Sequence, residues 1–313
     1  MTKNNWLTVH NSFFTNFKVD DFFRDYDLNK FPSDYKEILS TFEYNLKAVI
    51  AILSLPNTIS VTRTKLLIFD KIMTQELILS TPLVIDDPES KEDEKKRKEL
   101  VYKKAQERYF KEVYTEQGTK EFWNITYSFL DDLHDKNEVA IAVKELLNQS
   151  CILLWSSFEV LSRDFFINYI NRNANRINDL LEFLKAKKIY NNIISLDTLV
   201  EHSYDISKNM GFILEQNIDF SYLSYIREIY KMLFPLNTTL VNNINNKLLW
   251  KINQQRHLLV HKKGIVDKKY SESTDDKTPI GEEIIITPES VKQYLEIIKS
   301  TGYEIVNSAL YHL

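Results

Sequence analysis

The chain has 313 residues, 43% of them hydrophobic, enough for one large domain or two ordinary ones with a real core. A formal net charge of -4 excludes a surface broadly attractive to nucleic acid. Five glycines, placed singly at Gly118, Gly211, Gly264, Gly281 and Gly302, exclude a glycine-rich phosphate cradle, and the single cysteine, Cys151, excludes an internal disulfide and a thiolate zinc site.

The first residues, MTKNNWLTVHNSFF, lack the basic start and unbroken apolar run of a signal peptide. No apolar stretch approaches the roughly 20 residues of a bilayer span, so a cytoplasmic location without membrane contact is expected. In DYKEILSTFEYNLKAVIAILSLP the apolar positions Ile38, Phe42, Leu46, Ile50 and Leu53 recur every three or four residues, which predicts a helix that Pro56 stops. The following SVTRTKLLIFDKIMTQELILSTPLVID is rich in β-branched residues and reads equally as helix or strand. The run from Glu89 to Glu99 is almost wholly charged and follows Pro88; as a solvated helix face or connector it marks the seam between two regions.

Helical spacing resumes after the seam. In VAIAVKELLNQSCILLWSSFEVLSRDFFINYINRN the stripe Leu154, Phe158, Leu161, Phe165 and Tyr169 faces a core, with Cys151 a small buried residue. On the other side, Glu159 and Arg163 have the acid-first spacing of an i,i+4 ion pair. Further helices are predicted at NANRINDLLEFLKAKK, SLDTLVEHSYDIS, SYLSYIREIYKMLF and TLVNNINNKLLWKINQQRHLLVHKK. The last begins with Thr287 as N-cap and Pro288 in its first turn. Only EEIIIT reads as extended. The fold class is therefore all-α, with a mostly helical N-terminal region over 1–115 and a helical bundle over 116–313.

Basic charge is concentrated near the end of one of these helices. Between Lys247 and Lys269 lie Lys247, Lys251, Arg256, Lys262, Lys263, Lys268 and Lys269 against the single acid Asp267. If the helix runs straight, Val241, Ile244, Leu248, Ile252 and Leu259 form its buried stripe and Arg256 lies at the stripe's edge. His257 and His261 share the far side, so Arg256 and His261 are separated by about 140° around the axis. Joint action then requires that the helix bend or end here, as Gly264 allows by taking a left-handed terminating turn, or that the two groups meet across a subunit boundary.

Three readings fit these residues. The segment can be an ordinary basic C-terminal cap. His257 and His261 can share a zinc ion, although the intervening Glu of HExxH and a third ligand are missing. Or the segment can cleave RNA without a metal: imidazole moves protons near neutral pH, arginine neutralises charge on a phosphate, and RNA brings its own 2′-hydroxyl nucleophile.

The stretch Arg256-His257-Leu258-Leu259-Val260-His261 matches the R-x(4-6)-H signature of the HEPN superfamily, helical-bundle proteins of which many are ribonucleases in toxin-antitoxin and antiviral defence systems. His257 stands in the polar place after the arginine, and RHLLVHKKGIVD resembles the extended form with a trailing glycine and acid. LLWSSFEVLSRDFFINYINRN is similar to the family's earlier long helix, and GEEIIITPESVKQYLEIIKSTGYEI to its closing turn and helix. The resemblance covers roughly Gly118 to the C-terminus; residues 1 to about 115 carry no recognised motif.

It implies a homodimer that brings two copies of the motif into one cleft, and a metal-independent endoribonuclease leaving 2′,3′-cyclic phosphate ends, with no cofactor. Arg256 would bind the scissile phosphate, His261 would transfer a proton or hold the attacking hydroxyl, and His257 would support either. Glu159 would orient Arg256 or Arg163. Lys251, Lys262 and Lys263 would attract RNA, and an antitoxin or other defence-system partner is expected. The alternative is an inactive HEPN-fold module that binds RNA or protein.

Overall fold

The computed structural model describes residue 23 and residues 27–81, 90–134, 137–187, 196–201 and 203–312. The N-terminal stretch read for a signal peptide, and Pro88 and Glu89, lie outside them. The described chain is all-α: α1 (Ser33–Leu53), α2 (Leu55–Ser80), α3 (Lys91–Val113), α4 (Glu116–His134), α5 (Asn137–Arg172), α6 (Ile177–Ala186), α7 (Leu196–Glu201), α8 (Met210–Glu215), α9 (Leu223–Leu233), α10 (Thr238–Ile244), α11 (Lys247–Lys262), α12 (Lys268–Ser273) and α13 (Pro288–Asn307). Short 3-10 turns at Leu28–Lys30, Ala174–Arg176 and Ser308–His312 complete it. Among the described residues there is no strand. The extended EEIIIT segment makes only an isolated antiparallel bridge, Glu283 to Ile265.

Contacts divide the chain into two compact units, and the division does not fall at residue 115. One unit is Ser54–Val143; the other joins the segment ending at Leu53 to Lys144–Leu313. The charged run is not a seam but the first turns of α3, capped by Ser90, whose hydroxyl accepts from the Asp93 N–H at 3.2 Å. It is stable as a solvated helix because its charges pair at i,i+4, Glu92 with Lys96 and Glu94 with Lys98.

In the first unit α2, α3 and α4 pack on one another. The ambiguous β-branched stretch is helical to Ser80, with Pro56 in the first turn of α2, where its missing N–H costs nothing. The core is narrow: Ile72, Val101, Ala105, Phe122 and Leu130, with a buried Thr126–Thr64 hydrogen bond of 2.9 Å. Arg108 ties two helices by reaching Glu76 at 3.2 Å and Glu112 at 2.6 Å.

The second unit holds the larger core. The predicted stripe of α5 is buried along its length, and Cys151 is buried with it, its thiol pushed up to about 12 by desolvation. Around it Phe165 stacks with Tyr169 and Tyr230, Tyr169 meets Phe234 at 4.8 Å, and the Tyr230 hydroxyl donates to the Ser162 carbonyl at 2.5 Å. Residues Glu138–Arg172 are long and apolar enough to pass for a bilayer span by composition, contrary to the sequence reading. Their hydrophobicity has a closer explanation, since Trp155, Phe158, Phe165 and Phe166 are buried in this core. α13 starts as expected, with the Thr287 hydroxyl accepting from the Ser290 N–H at 3.1 Å, and packs on α1, α10 and α11.

The long helix predicted through residue 262 is broken. Asn245 ends α10, and the side chain of Asn246 caps α11 by accepting from the Leu248 N–H at 2.8 Å. Val241 and Ile244 therefore belong to a different helix from the motif. The buried row of α11 is Leu249, Ile252, Asn253, Gln255 and Leu258, with Leu248 and Leu259 only half-buried.

Candidate functional site

α11 carries the Arg-His segment on its second half and runs without interruption through His261, so neither a bend nor an end falls between the two signature residues. It terminates just beyond them. Lys263 (φ 52°) and Gly264 (φ 75°) are both left-handed, and the Gly264 N–H donates to the Leu258 carbonyl at 3.0 Å, closing the helix end. A Cβ at Gly264 would stand 3.3 Å from Glu283 Cγ, a contact a small shift of that side chain relieves, so it is the left-handed φ that calls for glycine here.

Arg256 is half-buried and lies in the electrostatic field of Glu159 on α5. Among the described residues its Nε has no hydrogen-bond partner and no solvent contact. Glu159 faces it from a partly buried position. Desolvation holds its carboxyl above the ordinary range, Arg256 pulls it back, Asp219 pushes it up again, and Arg163 pulls it down. The predicted Glu159–Arg163 pair is not made. Arg163 instead turns to its chain neighbour, donating from Nε and Nη2 to Asp164 Oδ1 at 3.0 and 2.9 Å. The loop after α8 seats against α11 through Asn253, which donates to the Ser221 carbonyl at 2.9 Å.

The histidines are one turn along. The rings of His257 and His261 lie 4.8 Å apart and tilted by 52°, with His261 exposed. Burial lowers the His257 pKa, and His261, Lys269, Lys262 and Arg256 lower it further, so at neutral pH it is a neutral imidazole able to accept a proton. A metal at the pair has too few donors: no group of three His, Cys, Asp or Glu side chains is assembled among the described residues.

The three lysines differ. Lys263 is exposed at the turn, but Lys262 is ion-paired with Asp267, and Lys251 reaches Asp276 at 3.1 Å. Asp267 doubles as N-cap of α12, accepting from the Tyr270 N–H at 2.7 Å. The trailing acid of the motif thus has a structural task.

Asp276 is the residue that sequence reasoning missed. Besides Lys251, its carboxylate accepts from Tyr270 Oη at 2.8 Å, Thr278 Oγ1 at 2.7 Å and the Thr278 N–H at 3.0 Å. Gln255 approaches the same group at 3.5 Å and accepts from the buried Tyr294 hydroxyl at 2.6 Å. The Asp-Lys-Thr run alone signals a turn; nothing in it announces that the turn closes over α11.

The Glu159 carboxylate gives a test of this geometry. A carboxyl whose pKa is raised by folding is easier to protonate in the folded chain, so its ionisation at neutral pH opposes folding. Glu159→Gln is therefore expected to melt at a higher temperature than the intact protein at pH 7. A lower melting temperature would show that attraction to Arg256 outweighs desolvation.

Within one chain, then, the structure brings Arg256 to Glu159 and His257 to His261, and leaves Arg256 and His261 on different sides of α11. No protein-family model, curated protein or solved structure matches this chain.

Proposed function

We propose that the protein is a metal-independent endoribonuclease of the HEPN type, working as a homodimer in bacterial defence or a toxin-antitoxin pair. The observation that carries the reading is the half-buried Arg256 guanidinium, set in the field of the Glu159 carboxylate on the same helix end as two clustered imidazoles. Arginine in such a setting serves a ligand with oxygens to offer, and phosphate fits its planar fork. His261 is exposed at the helix end, where a substrate can reach it.

In the proposed reaction the 2′-oxygen attacks the adjacent phosphorus while its proton passes to an imidazole. The bond to the 5′-oxygen breaks, and that oxygen leaves with a proton supplied by a second acid. The products are a 2′,3′-cyclic phosphate and a 5′-hydroxyl end. Arg256 neutralises the charge that builds on the non-bridging oxygens. Glu159 is a positioning residue, and Lys263, with Lys251 and Lys262 once released from their acids, draws the strand in.

The second reading is a binding module of the same fold without turnover. It is favoured by the internal pairing of Lys251 and Lys262 and by the separation of Arg256 from His261 within one chain. One experiment divides the two. Incubated with single-stranded RNA in EDTA, the intact protein is expected to produce cyclic-phosphate ends, and the exposed-site variant His261→Ala to lose about 100-fold or more of the rate. RNA that is bound but never cut by the intact protein would select the module.

A further inference from the structure

One face of the first unit carries an ordered pattern. On α2, Leu66 is 58% exposed and stands at the centre of a stripe. Four residues to either side lie Thr62 and Asp70, seven to either side Ile59 and Met73, and eleven to either side Leu55 and Leu77. At 100° per residue these positions fall within about 80° of arc along about 33 Å of helix. Met73 is half-buried and the rest are exposed, while the buried residues of α2, Ser60, Thr64 and Ile72, lie on the other side.

The order reads the same from both ends: leucine, aliphatic chain, polar group, then Leu66, then the same series reversed. Exposed aliphatic chains occur elsewhere on this unit, Ile78 and Leu79 among them, and apolarity alone names no partner. Symmetry does. A second α2 laid antiparallel about a two-fold axis at Leu66 sets Leu55 against Leu77 of the second copy, Ile59 against Met73, and Leu66 against itself, as an isologous contact requires. Thr62 then stands level with Asp70 of the second copy, so no polar group is set against an aliphatic chain. The Thr62 hydroxyl already donates to the Thr58 carbonyl at 2.8 Å and needs nothing from across the interface.

Charge agrees with this order. Arg63 is exposed, with its guanidinium over the Phe129 ring at 4.1 Å, a stacking that leaves its in-plane N–H groups for a carboxylate. It lies about 20° around the helix from Asp70, on the same flank of the stripe. In the antiparallel pair Arg63 and Asp70 of the second copy share that flank within about 1.5 Å along the axis, and the two-fold makes the contact twice. A parallel pair in register would instead set Asp70 against Asp70.

We infer that the outer face of α2 is a dimer surface, paired antiparallel with the same face of a second copy of this chain. The pairing belongs to the first unit, and nothing in it depends on the reading of α11.

The test is sedimentation equilibrium of the full chain at micromolar concentration, with circular dichroism to confirm that each variant stays helical. The parent is expected to be a dimer. Leu66→Glu, which sets two carboxylates face to face at the axis, should weaken it about 100-fold or more. Asp70→Arg alone should weaken it about tenfold, and adding Arg63→Asp should restore affinity to within about threefold. Cysteines fix the direction, since native Cys151 is buried. Ile59→Cys chains should form disulfides with Met73→Cys chains and not with themselves, and Leu66→Cys chains should cross-link to one another. A monomeric parent would overturn the inference, as would one that stays monomeric and binds phosphatidylglycerol vesicles through this face. So would a dimer that Leu66→Glu leaves intact, or Ile59→Cys chains that cross-link among themselves. RNA cleavage is assayed separately, so failure of this pairing and failure of the α11 centre are told apart.

Discussion

Co-expressed Arg256→Ala and His261→Ala chains are expected to recover RNA cleavage that neither shows alone. The argument begins with α11, which is unbroken from Lys247 to Lys262. On such a helix five residues turn the side chain through about 140°, so the guanidinium at 256 and the imidazole at 261 start from different sides of α11. Arg256 is in addition directed into the field of Glu159, while His261 stands exposed by His257. A second copy that supplies one of them removes this separation, and a two-fold axis then creates two such pairings at once.

A mixed dimer keeps one intact pairing, and random mixing makes half of the dimers mixed, so recovery to about a quarter of the parental rate is expected. Each variant alone should fall by about 100-fold to 10,000-fold. The melting temperature must be followed alongside, because Arg256→Ala removes the positive charge that most offsets the burial of the Glu159 carboxylate. Folded, dimeric and co-expressed chains without any recovery would exclude a shared centre. Single chains that each keep activity would exclude the residues altogether.

What the sequence made legible was governed by period. Wherever apolar residues recur at helical spacing against a large core, as from Phe42 to Leu53 and from Leu154 to Tyr169, the predicted helix and buried residues are those observed, whereas Ile38 is only half-buried and Tyr35 and Leu39 take the core side. Thr287, Pro288 and Gly264 announced their caps because each has a side chain or a φ angle suited to a single role. The failures share a different cause. Asn245 and Asn246 break a pattern whose apolar period continues across them, since asparagine competes for backbone hydrogen bonds that no periodicity records. Counting through the break placed Val241 on the wrong helix and Leu249 and Leu258 off the buried row.

The division into units was illegible for a related reason. A charged run looks like a linker, yet α3 needs only a narrow contact row, Val101 and Ala105, to hold a helix whose other sides face water. Nothing local in α1 says that it packs with the distant α13, although Phe42 approaches Gly302 closely enough that a Cβ there would meet the ring at 2.5 Å. At the site, the motif residues were visible and their partners were not. Arg256 on a packed helix lowers the Glu159 pKa more than Arg163 one turn along the same helix, so helix packing and not the i,i+4 rule sets the stronger influence.

Replacing Asp276 by alanine is expected to be the most damaging polar substitution in the second unit, at about 2 to 4 kcal/mol of folding stability. Four groups from three separate positions depend on its carboxylate, namely Lys251 on α11, the Tyr270 hydroxyl on α12, and the N–H and hydroxyl of Thr278. With the carboxylate gone, the buried Tyr270 hydroxyl and the half-buried Lys251 and Thr278 lose their acceptor together, a larger penalty than the loss of any one bond. The neighbouring ties, Trp250 Nε1 to the Ser273 carbonyl at 2.8 Å and Lys247 to Asp275 at 3.0 Å, keep the segment near α11 but cannot satisfy those groups. Acid supplies a second, independent reading of the same residue. Burial raises the Asp276 pKa, but hydrogen bonds from Thr278, Tyr270 and Lys251 outweigh it and hold the carboxyl well below its ordinary value. The folded chain therefore binds this proton less readily than the unfolded one. The stabilisation is present in full above about pH 4, where unfolded aspartate is ionised, and is lost as pH falls below it. Urea unfolding of the intact protein should weaken from pH 5 to pH 3 more than that of Asp276→Ala, so the two stabilities converge in acid. Curves that stay parallel across this range would assign the loss at neutral pH to packing rather than to charge, and the segment after α12 would then be held by Trp250 instead.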